Sequence, residues 1–296
     1  MVKTPIIAAI GNFDGVHRGH LYLLEEAMKL AQNHGAQTGV VVFDPHPRRY
    51  FRPDDPPFLL TMLDQRDHLL KAAGADHVIS LAFDKDLAAL SPEEFVHDIL
   101  ADKLGLAGIV AGADFHFGKA RAGDGAALQR LASDNGMVSK IVTLLEGGSA
   151  EKYGSTAIRD VLVRGDIERV TKMLGRHWCV SGPVIVGEQR GRTIGFPTAN
   201  MMLGELIEPR YGVYATRVHV GDGVLPAVSN FGRRPTVGAK APLLETHLLD
   251  FDGDLYGQDI KISFIDFIRD ERKFDGLDAL QAQIAADCER ARKILF

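Results

Sequence analysis

The sequence predicts a doubly wound α/β domain with a parallel sheet, followed by a small antiparallel β-barrel with a terminal helix. Strand-like and helix-like segments alternate along the first half, which is the order expected for a parallel sheet covered by helices. After about Trp178 the pattern changes to short strand-like runs separated by Gly and Asp, which is typical of a small barrel. One amphipathic segment closes the chain. We therefore predict two domains, at 1–178 and 179–296.

Hydrophobic periodicity sets the elements of the first domain. Buried-strand patterns occupy Ile6–Ile10, Val40–Phe43, His77–Leu81, Gly108–Ala111 and Val138–Leu145. Amphipathic helices are predicted at Gly19–His34, Met62–Ala73, Ser91–Leu104 and Asp124–Asn135. The third helix has the clearest start, because Ser91 can cap it, Pro92 suits its first position and Glu94 completes a capping box.

The second domain is predicted to consist of strands and one helix. The strand-like runs are Val180–Val186, Gly212–Val220, Leu225–Ser229, Leu243–Phe251 and Gln258–Phe267. Gly221-Asp222-Gly223 and Asp252-Gly253-Asp254 have the composition of hairpin turns. The closing helix is predicted over about Leu277–Ile294.

Composition and charge exclude several classes of protein. Hydrophobic residues make up 46% of the chain, which excludes a mostly disordered protein. The formal net charge of −5 makes binding of long nucleic acid through an overall positive field a poor candidate function. The two cysteines, Cys179 and Cys288, lie far apart without metal-site spacing, and no apolar run reaches the ~20 residues of a spanning helix. We expect a cytoplasmic protein without a nucleic-acid or membrane partner, and leave self-association open.

The first candidate site is the segment Gly11–His20, between the first strand and the first helix. Ligands of open α/β sheets bind at the carboxyl ends of strands, and a helix N-terminus there favours an anion. His17 and His20 can both donate to phosphate oxygens, and Gly19 allows close approach of the backbone. Two surface histidines beside a Gly-rich turn are the alternative. A metal site is weaker, since no third ligand has conventional spacing.

The second candidate is Gly154-Ser155-Thr156-Ala157-Ile158-Arg159. Ser155 or Thr156 can cap a helix, but an Arg in the first turn opposes the helix dipole. Arg159 is favourable there if an anion binds beside it. A plain Ser cap with a solvated Arg explains this motif equally well.

The third candidate lies in the predicted barrel. If Pro197–Asn200 is extended, Thr198 and Asn200 point to one side, and their oxygens are hard ligands that suit Mg²⁺. Glu245 shares a strand face with His247, and its carboxylate can take a proton from a hydroxyl nucleophile. A polar loop and an exposed strand Glu are the alternatives.

Taken in order, these segments resemble the bacterial bifunctional riboflavin kinase/FAD synthetases over nearly the whole chain. The GFPTAN segment and the HxGH motif are the most diagnostic parts of this resemblance. The matching segments are GNFDGVHRGH (11–20), DFHFG (114–118), STAIR (155–159), LGRHW (174–178), GRTIGFPTAN (191–200), NFGRRPT (230–236), ETHLLDFDGDLYG (245–257) and IRDERKF (268–274).

The resemblance implies a Rossmann-like N-terminal nucleotidyltransferase domain that joins ATP to FMN, giving FAD, and a C-terminal barrel that makes FMN from riboflavin and ATP with Mg²⁺. It assigns ATP and phosphate binding in the first domain to Gly11, Asn12, Phe13, Asp14, His17, Gly19, His20, Ser155, Thr156 and Arg159, with the two histidines also catalytic. It assigns flavin or nucleotide binding to Asp114, Phe115, Arg234, Arg269 and Glu271. In the kinase it assigns ATP to Gly195, Pro197, Thr198 and Asn200, the metal to Thr198 and Asn200, and the catalytic base to Glu245.

Two departures from the family pattern fall in the first domain. Gly154 stands where a first serine is usual, and His116 stands where Arg is common. They leave two alternatives open. One is a chain that retains only one activity, the kinase; the other is a non-catalytic regulator that binds flavin or nucleotide.

Overall fold

A computed structural model describes residues 4–143, 146–147, 151–152, 154–187, 191, 194–233 and 242–296. Its contacts divide the chain into two compact units. The first unit comprises Met1–Pro56 and Met62–Ser155, and the second comprises Pro57–Thr61 and Thr156–Phe296. The functional boundary at residue 178 stays a prediction, because a division by contacts does not say which residues serve which activity.

The first unit is built on a parallel sheet. Its strands are β1 (Ile6–Ile10), β2 (Gln37–Asp44), β3 (His77–Ala82), β4 (Leu106–Gly112) and β5 (Val138–Val142). They pair in the order β3-β2-β1-β4-β5, and every pair is parallel. The strand order therefore reverses between β1 and β4, which lie side by side. In doubly wound sheets the ligand crevice lies outside the carboxyl ends of the strands at this reversal.

Helices connect the strands of this sheet. They are α1 (Arg18–Asn33), α2 (Pro47–Phe51), α3 (Leu63–Ala72), α4 (Lys85–Ala89), α5 (Pro92–Glu94), which continues as a π-helix (Phe95–Lys103), a 3₁₀ turn (Lys119–Arg121) and α6 (Gly125–Asp134). A short hairpin, β6 (Glu146–Gly147) and β7 (Glu151–Lys152), follows β5. Side chains of β1 alternate between two buried clusters, Ile7 and Ala9 in one, Ala8 and Ile10 in the other. The sheet is thus buried on both faces, as parallel sheets are.

The second unit begins with α7 (Ser155–Val163), whose first residue belongs to the first unit, and with α8 (Ile167–Leu174). Six antiparallel strands and one helix follow. They are β8 (Cys179–Pro183), β9 (Ala199–Met202), β10 (Gly212–Val220), β11 (Gly223–Gly232), β12 (Leu243–Leu248), β13 (Asp259–Asp270) and α9 (Leu277–Leu295).

These six strands form a nearly closed barrel. They pair in the order β8-β13-β10-β11-β12-β9. Beyond β8, Ile185 pairs with Asn200 of β9, and the Ile185 N–H donates to the Asn200 carbonyl at 2.8 Å. This bridge joins the two edges of the sheet, and closure removes exposed strand edges. Helix α9 packs Ala291 and Leu295 against Val213 on the outside of the barrel.

Most predicted elements are present, and the differences have local causes. The capping box of Ser91 and Glu94 forms with both hydrogen bonds. Gly221 and Asp222 make the predicted two-residue turn, with Gly221 at φ 54°, where a glycine is favoured. The turn predicted at Asp252-Gly253-Asp254 is wrong, because those residues lie in a long connection from 249 to 258. The end of the strand predicted at Val138–Leu145 lies outside the described residues.

Three buried hydroxyl groups form a chain across the inside of the barrel. Ser229 Oγ lies 2.8 Å from Thr216 Oγ1 and 2.8 Å from Thr246 Oγ1, and all three residues are fully buried. They belong to β10, β11 and β12. Because Ser229 lies between the two threonines, its hydroxyl is the hydrogen-bond partner of both threonine hydroxyls.

In the first unit, the buried carboxylate of Glu26 on α1 is held by two lysines. Lys29 donates to Oε1 at 2.7 Å, and Lys140 of β5 donates to Oε2. Both hydrogen bonds lower the pKa of Glu26, and burial of the carboxylate opposes them. The Lys140 bond fastens α1 to the edge strand of the sheet.

Replacing Ser229 with Ala should destabilise the barrel by about 2–4 kcal/mol, because two buried hydroxyls lose a partner at once. Urea unfolding followed by the fluorescence of Trp178, the chain's single tryptophan, measures the change. Ser181→Ala on the exposed side of β8 is the matched control. Equal stability of the two variants would show that the hydroxyl chain contributes nothing.

Replacing Glu26 with Gln should lower the melting temperature of the first unit by about 2–4 °C at pH 7. A carboxyl group whose pKa is lowered by folding stabilises the fold above its unfolded pKa and loses that contribution as pH falls through its folded pKa. The difference from the unsubstituted protein should therefore shrink below about pH 4.5. Circular dichroism melts at several pH values measure it, with the exposed Glu25→Gln as control. A pH-independent difference would contradict the role assigned to the charge.

Candidate active sites

The segment Gly11–His20 lies at the carboxyl end of β1, next to the end of β4. The Gly11 N–H donates to the Val41 carbonyl at 3.2 Å, so β1 pairs with β2 up to the point where the segment begins. His17 is the N-cap of α1, and its Nδ1 accepts from the His20 N–H at 3.3 Å. The sequence interpretation of this segment as a strand, a turn and a helix N-terminus is confirmed.

The two histidine rings stack on each other. Their centroids are 3.6 Å apart with an interplanar angle of 16°, and the His20 ring also lies 4.9 Å from Phe13. His17 is 3% exposed. The stack fixes both imidazoles at a helix N-terminus, where backbone N–H groups and the helix dipole stabilise negative charge.

The turn before these histidines has a strained backbone. Phe13 has φ 52° and Val16 has φ 38°, and both side chains are buried. A positive φ is unfavourable for a β-branched residue such as Val16. The Val16 N–H donates to the Phe13 carbonyl at 3.0 Å, and Gly15 at φ 86° completes the turn. Such strain persists where surrounding packing determines the conformation, and it concentrates at functional sites.

The second motif meets this turn through its serine. Ser155, the first residue of α7, donates its hydroxyl to the Asp14 carbonyl at 2.8 Å. Thr156 is exposed, and Arg159 belongs to the second unit. There its Nε donates to the Phe58 carbonyl at 2.7 Å and its guanidinium lies 5.4 Å from the Phe58 ring. Sequence reasoning missed Phe58, because residues 57–61 lie far from Arg159 in sequence.

Asp114 and Phe115 follow β4, and so lie at the same sheet edge as the histidine segment. The Phe115 N–H donates to the Gly112 carbonyl at 2.9 Å, and its ring stacks at 5.7 Å on Phe117. Gly118, at φ 71°, packs on Pro92, where a Cβ atom would come within 2.8 Å of the Pro92 nitrogen. His116 is exposed, and its Nδ1 bonds the Asp114 carbonyl at 3.0 Å.

In the barrel, Thr198 lines a cleft of about 220 Å³. Pro197 and Ala199 line it too, opposite the connection between β12 and β13. Sequence reasoning did not assign site residues in that connection. The lining residues are Val184, Pro197, Thr198, Ala199, Leu248, Phe251, Asp252, Gly253, Asp254, Leu255 and Tyr256.

Asn200 is buried beside Thr198. Its Nδ2 donates to the Thr198 carbonyl at 3.4 Å, and the backbone of Gly187 lies so close to the amide that a side chain at 187 would overlap it. Gly195 begins the approach to this strand at φ 84°. Thr198 and Asn200 stand two residues apart on this segment, and a hydroxyl and an amide oxygen are donors of the hard type that Mg²⁺ takes.

Glu245 occupies the middle of a polar row across three strands. It pairs with Asn200 of β9 on one side and with Asn230 of β11 on the other. Directly opposed residues of antiparallel strands share a face, so these three side chains are neighbours. Two residues on, His247 donates from Nδ1 to the Pro197 carbonyl at 2.8 Å. This bond holds the Thr198 segment onto β12.

The predicted flavin or nucleotide residues of the IRDERKF segment differ in their partners. Arg269 is paired with buried Asp287 of α9, and the shortest of its bonds to that carboxylate is 2.7 Å. Burial raises the pKa of Glu271, the neighbouring amide of Asn230 lowers it, and the negative charge of Glu245 raises it again. Arg234 lies outside the described residues.

The described residues offer neither a membrane-spanning helix nor a ready-made cluster of metal ligands. None of their helices is both long enough and apolar enough to cross a membrane. They also contain no cluster of three or more His, Cys, Asp or Glu side chains that could hold a metal ion.

Two family models match the chain. The FAD synthetase model matches residues 1–157, and the riboflavin kinase model matches residues 174–295. Among curated proteins, the bifunctional riboflavin kinase/FMN adenylyltransferase of Escherichia coli K12 is 39% identical over 97% of this chain and 92% of its own length. The protein of the same name from Pseudomonas fluorescens is 38% identical over the same shares.

A solved structure also matches nearly the full length. It is titled a macrolide-efflux protein from Streptococcus pneumoniae, is 30% identical, covers 99% of this chain and 95% of its own, and superposes with a TM-score of 0.88. The two family models and the curated relatives agree on the same pair of domains in the same order. The chain therefore belongs to the bifunctional riboflavin kinase/FMN adenylyltransferase family.

Proposed function

We propose that this chain divides its two activities, riboflavin kinase and FMN adenylyltransferase, between its two units. The barrel phosphorylates riboflavin with ATP to give FMN, and the parallel-sheet unit adenylylates FMN with ATP to give FAD and pyrophosphate. The observation that carries this proposal is the separate placement of two sets of polar groups. One set lies at the strand reversal of the parallel sheet, and the other lies along the polar row and cleft of the barrel.

In the adenylyl step, the FMN phosphate attacks the α-phosphate of ATP and pyrophosphate leaves. The reaction needs no side-chain nucleophile, so the protein contributes position and stabilisation of charge. The stacked imidazoles of His17 and His20 and the N-terminus of α1 supply donors fixed by packing before substrate binds. Ser155 holds the turn through Asp14, and the resemblance adds Arg159 of α7 as a cation for the phosphates.

Gly11 and Gly19 complete the phosphate segment, because they put backbone without a side chain beside the helix N-terminus, and Asn12 adds a side-chain amide. Asp114 and Phe115 lie at the neighbouring strand end, in place for the flavin or the nucleotide. The resemblance also gives phosphate binding to Thr156, an exposed residue of α7.

In the kinase step, the terminal ribityl hydroxyl of riboflavin attacks the γ-phosphate of ATP. Glu245 accepts the proton of that hydroxyl, and Thr198 and Asn200 are the residues that would hold Mg²⁺. Bound Mg²⁺ neutralises charge on the phosphates. The cleft lined by Pro197 and Thr198 takes the nucleotide, and the resemblance adds Gly195 to the ATP-binding residues.

The alternatives with fewer activities have weaker support. A regulator that only binds flavin does not need a carboxylate beside the metal-binding pair, yet Glu245 pairs directly with Asn200. For a chain that is a kinase alone, Gly154 and His116 are the relevant changes. A Cβ at Gly154 would meet no atom within 4 Å, and His116 is an exposed side chain that contacts local backbone, so neither change disturbs the packing of the first site.

We place both reactions in the cytoplasm. The support is indirect: both cysteines are buried free thiols, as is usual where thiols stay reduced. The proposed partners are therefore ATP, riboflavin and FMN.

The test of the proposal is a time course of the products made from riboflavin, ATP and Mg²⁺, separated by chromatography. We expect FMN first and FAD after it. FMN alone would leave only the kinase, and no product of either kind would leave only the binding role.

Replacing His20 with Ala should slow FAD formation at least about a hundredfold, because one preorganised phosphate donor is lost. FMN should then accumulate when riboflavin is supplied. The same chromatography measures both rates, and His68→Ala, an exposed histidine of α3, is the matched control. Normal FAD formation by His20→Ala would exclude the phosphate role.

Replacing Glu245 with Gln should slow FMN formation by about 10²–10⁴-fold, because the general base is lost while the shape is kept. FMN supplied from outside should still be converted to FAD. Glu289→Gln on the exposed face of α9 is the control for charge. Loss of both activities in a folded Glu245→Gln protein would contradict the division between the two units.

A further inference from the structure

Helix α9 is connected to two walls of the cleft beside Thr198. One wall consists of residues 251–256, which we call the connection wall, and the other consists of residues 197–199, which we call the strand wall. The helix itself, which the structure describes throughout, does not line the cleft. It reaches each wall through the residues that come just before that wall in the chain.

Arg292 of α9 holds the residue before the connection wall. Its guanidinium donates two hydrogen bonds to the carboxylate of Asp250, one to each oxygen, and the longer of them is 2.7 Å. Asp250 has φ 56°, a left-handed conformation in which Asp is enriched. Leu249 is buried in the same apolar cluster as Ala291 and Leu295 of α9. The chain therefore enters the connection wall from a point that α9 fixes by charge and by packing.

The connection wall is compact, and backbone hydrogen bonds hold its far end. The ring of Phe251 lies over Gly253, where a Cβ atom would come within 2.5 Å of the ring. At the far end, Val184 accepts from the Gly257 N–H and donates to the Gln258 carbonyl, both at 2.9 Å. The near end depends in addition on the side chain of Arg292, and a side-chain contact can be removed without changing the backbone.

Gln281 connects α9 to the strand wall. Its Nε2 donates to the Ile194 carbonyl at 3.2 Å. Phe196, the residue before the strand wall, packs against the buried cluster that also contains Leu249. Gln281 and Arg292 are about three turns apart on one helix. A single rigid element therefore holds the approach to both walls.

We propose that Arg292 and Gln281 are positioning residues of the kinase reaction, which fix the two walls of the cleft at the separation that ATP requires. Neither residue touches the nucleotide, and each acts through the wall that it holds. A ligand binds more tightly to a site that is ordered before it arrives, because less ordering accompanies binding. The inference rests on the proposed function, in which this cleft takes the nucleotide.

Replacing Arg292 with Gln should raise the KM of ATP in FMN formation about three- to fivefold, since an exposed ion pair contributes modestly even when it is bidentate. The value of kcat should change less than KM, and the KM of riboflavin should stay the same. Initial rates of FMN formation, followed by chromatography, measure all three. Arg290→Gln, an exposed arginine of the same helix, is the matched control.

The adenylyl reaction gives an internal control in the same protein. Its ATP binds in the parallel-sheet unit under the proposed function, so its KM of ATP, measured with FMN as substrate, should not change in Arg292→Gln. Gln281→Met removes the donor to the Ile194 carbonyl and keeps the length of the side chain. It should likewise raise the KM of ATP in the kinase reaction alone.

A double-mutant cycle tests whether Arg292 acts through Asp250. Asp250→Asn removes the charge and keeps a residue that tolerates the left-handed conformation. Combined with Arg292→Gln, it should raise the KM of ATP no further than either change alone, because both changes remove the same ion pair. High salt should reduce the difference in KM between the unsubstituted protein and either single variant, since salt screens an exposed pair.

Thr198→Ala distinguishes failure of this inference from failure of the proposed function. If Thr198→Ala raises the KM of ATP in FMN formation, an unchanged KM in Arg292→Gln or in Gln281→Met overturns the inference for the wall that this residue holds. Additive effects of Arg292→Gln and Asp250→Asn overturn the action through Asp250. If Thr198→Ala leaves the KM of ATP unchanged, the nucleotide does not occupy this cleft, and the proposed kinase site is wrong.

Discussion

Backbone pairing between strands is the constraint on which both candidate sites depend. A buried strand must pair its N–H and C=O groups, and the pairing decides which residues become neighbours. In the first unit, parallel pairing of β1 with β4 brings the histidine segment and Asp114 to one sheet edge. In the second unit, antiparallel pairing puts Asn200, Glu245 and Asn230 in one row. Neither arrangement requires the functional side chains to attract each other, so like charges such as Glu245 and Glu271 can be held close together.

Local strain in the first site is stabilised by the same sheet. The turn that carries Phe13 and Val16 at positive φ is unfavourable in isolation, but both side chains belong to the core on one face of the sheet. Burial of two large apolar side chains contributes several kcal/mol, more than the cost of about 1–3 kcal/mol for each unusual backbone conformation. The result is a turn that cannot relax without opening the core, and His17 and His20 stay stacked at the helix N-terminus.

From the sequence we could predict the features that depend on residues close together in the chain. The strand runs of the first unit, the capping box at Ser91 and the turn at Gly221 follow from periodicity and short motifs, and the structure confirms them. The sequence could not predict that residues 57–61 belong to the second unit. There Leu59 pairs with Leu206, and this pairing joins residues that are distant in the chain. Strand β9 was missed since its four residues are too few for a pattern. Asn230 was missed for another reason: only the register of β11 with β12 makes it the neighbour of Glu245.

The proposed residues give the two units opposite electrostatics toward one molecule. Riboflavin is a neutral polyol, and the carboxylate of Glu245 is the acceptor proposed for its terminal hydroxyl. Once that hydroxyl carries a phosphate, the carboxylate faces a dianion, which it repels. That repulsion favours release of FMN from the barrel after transfer. In the first unit the proposed site instead offers donors to the phosphate: two imidazoles and a helix N-terminus. The two proposed sites therefore distinguish riboflavin from FMN by the one group that differs between them, the terminal hydroxyl or phosphate.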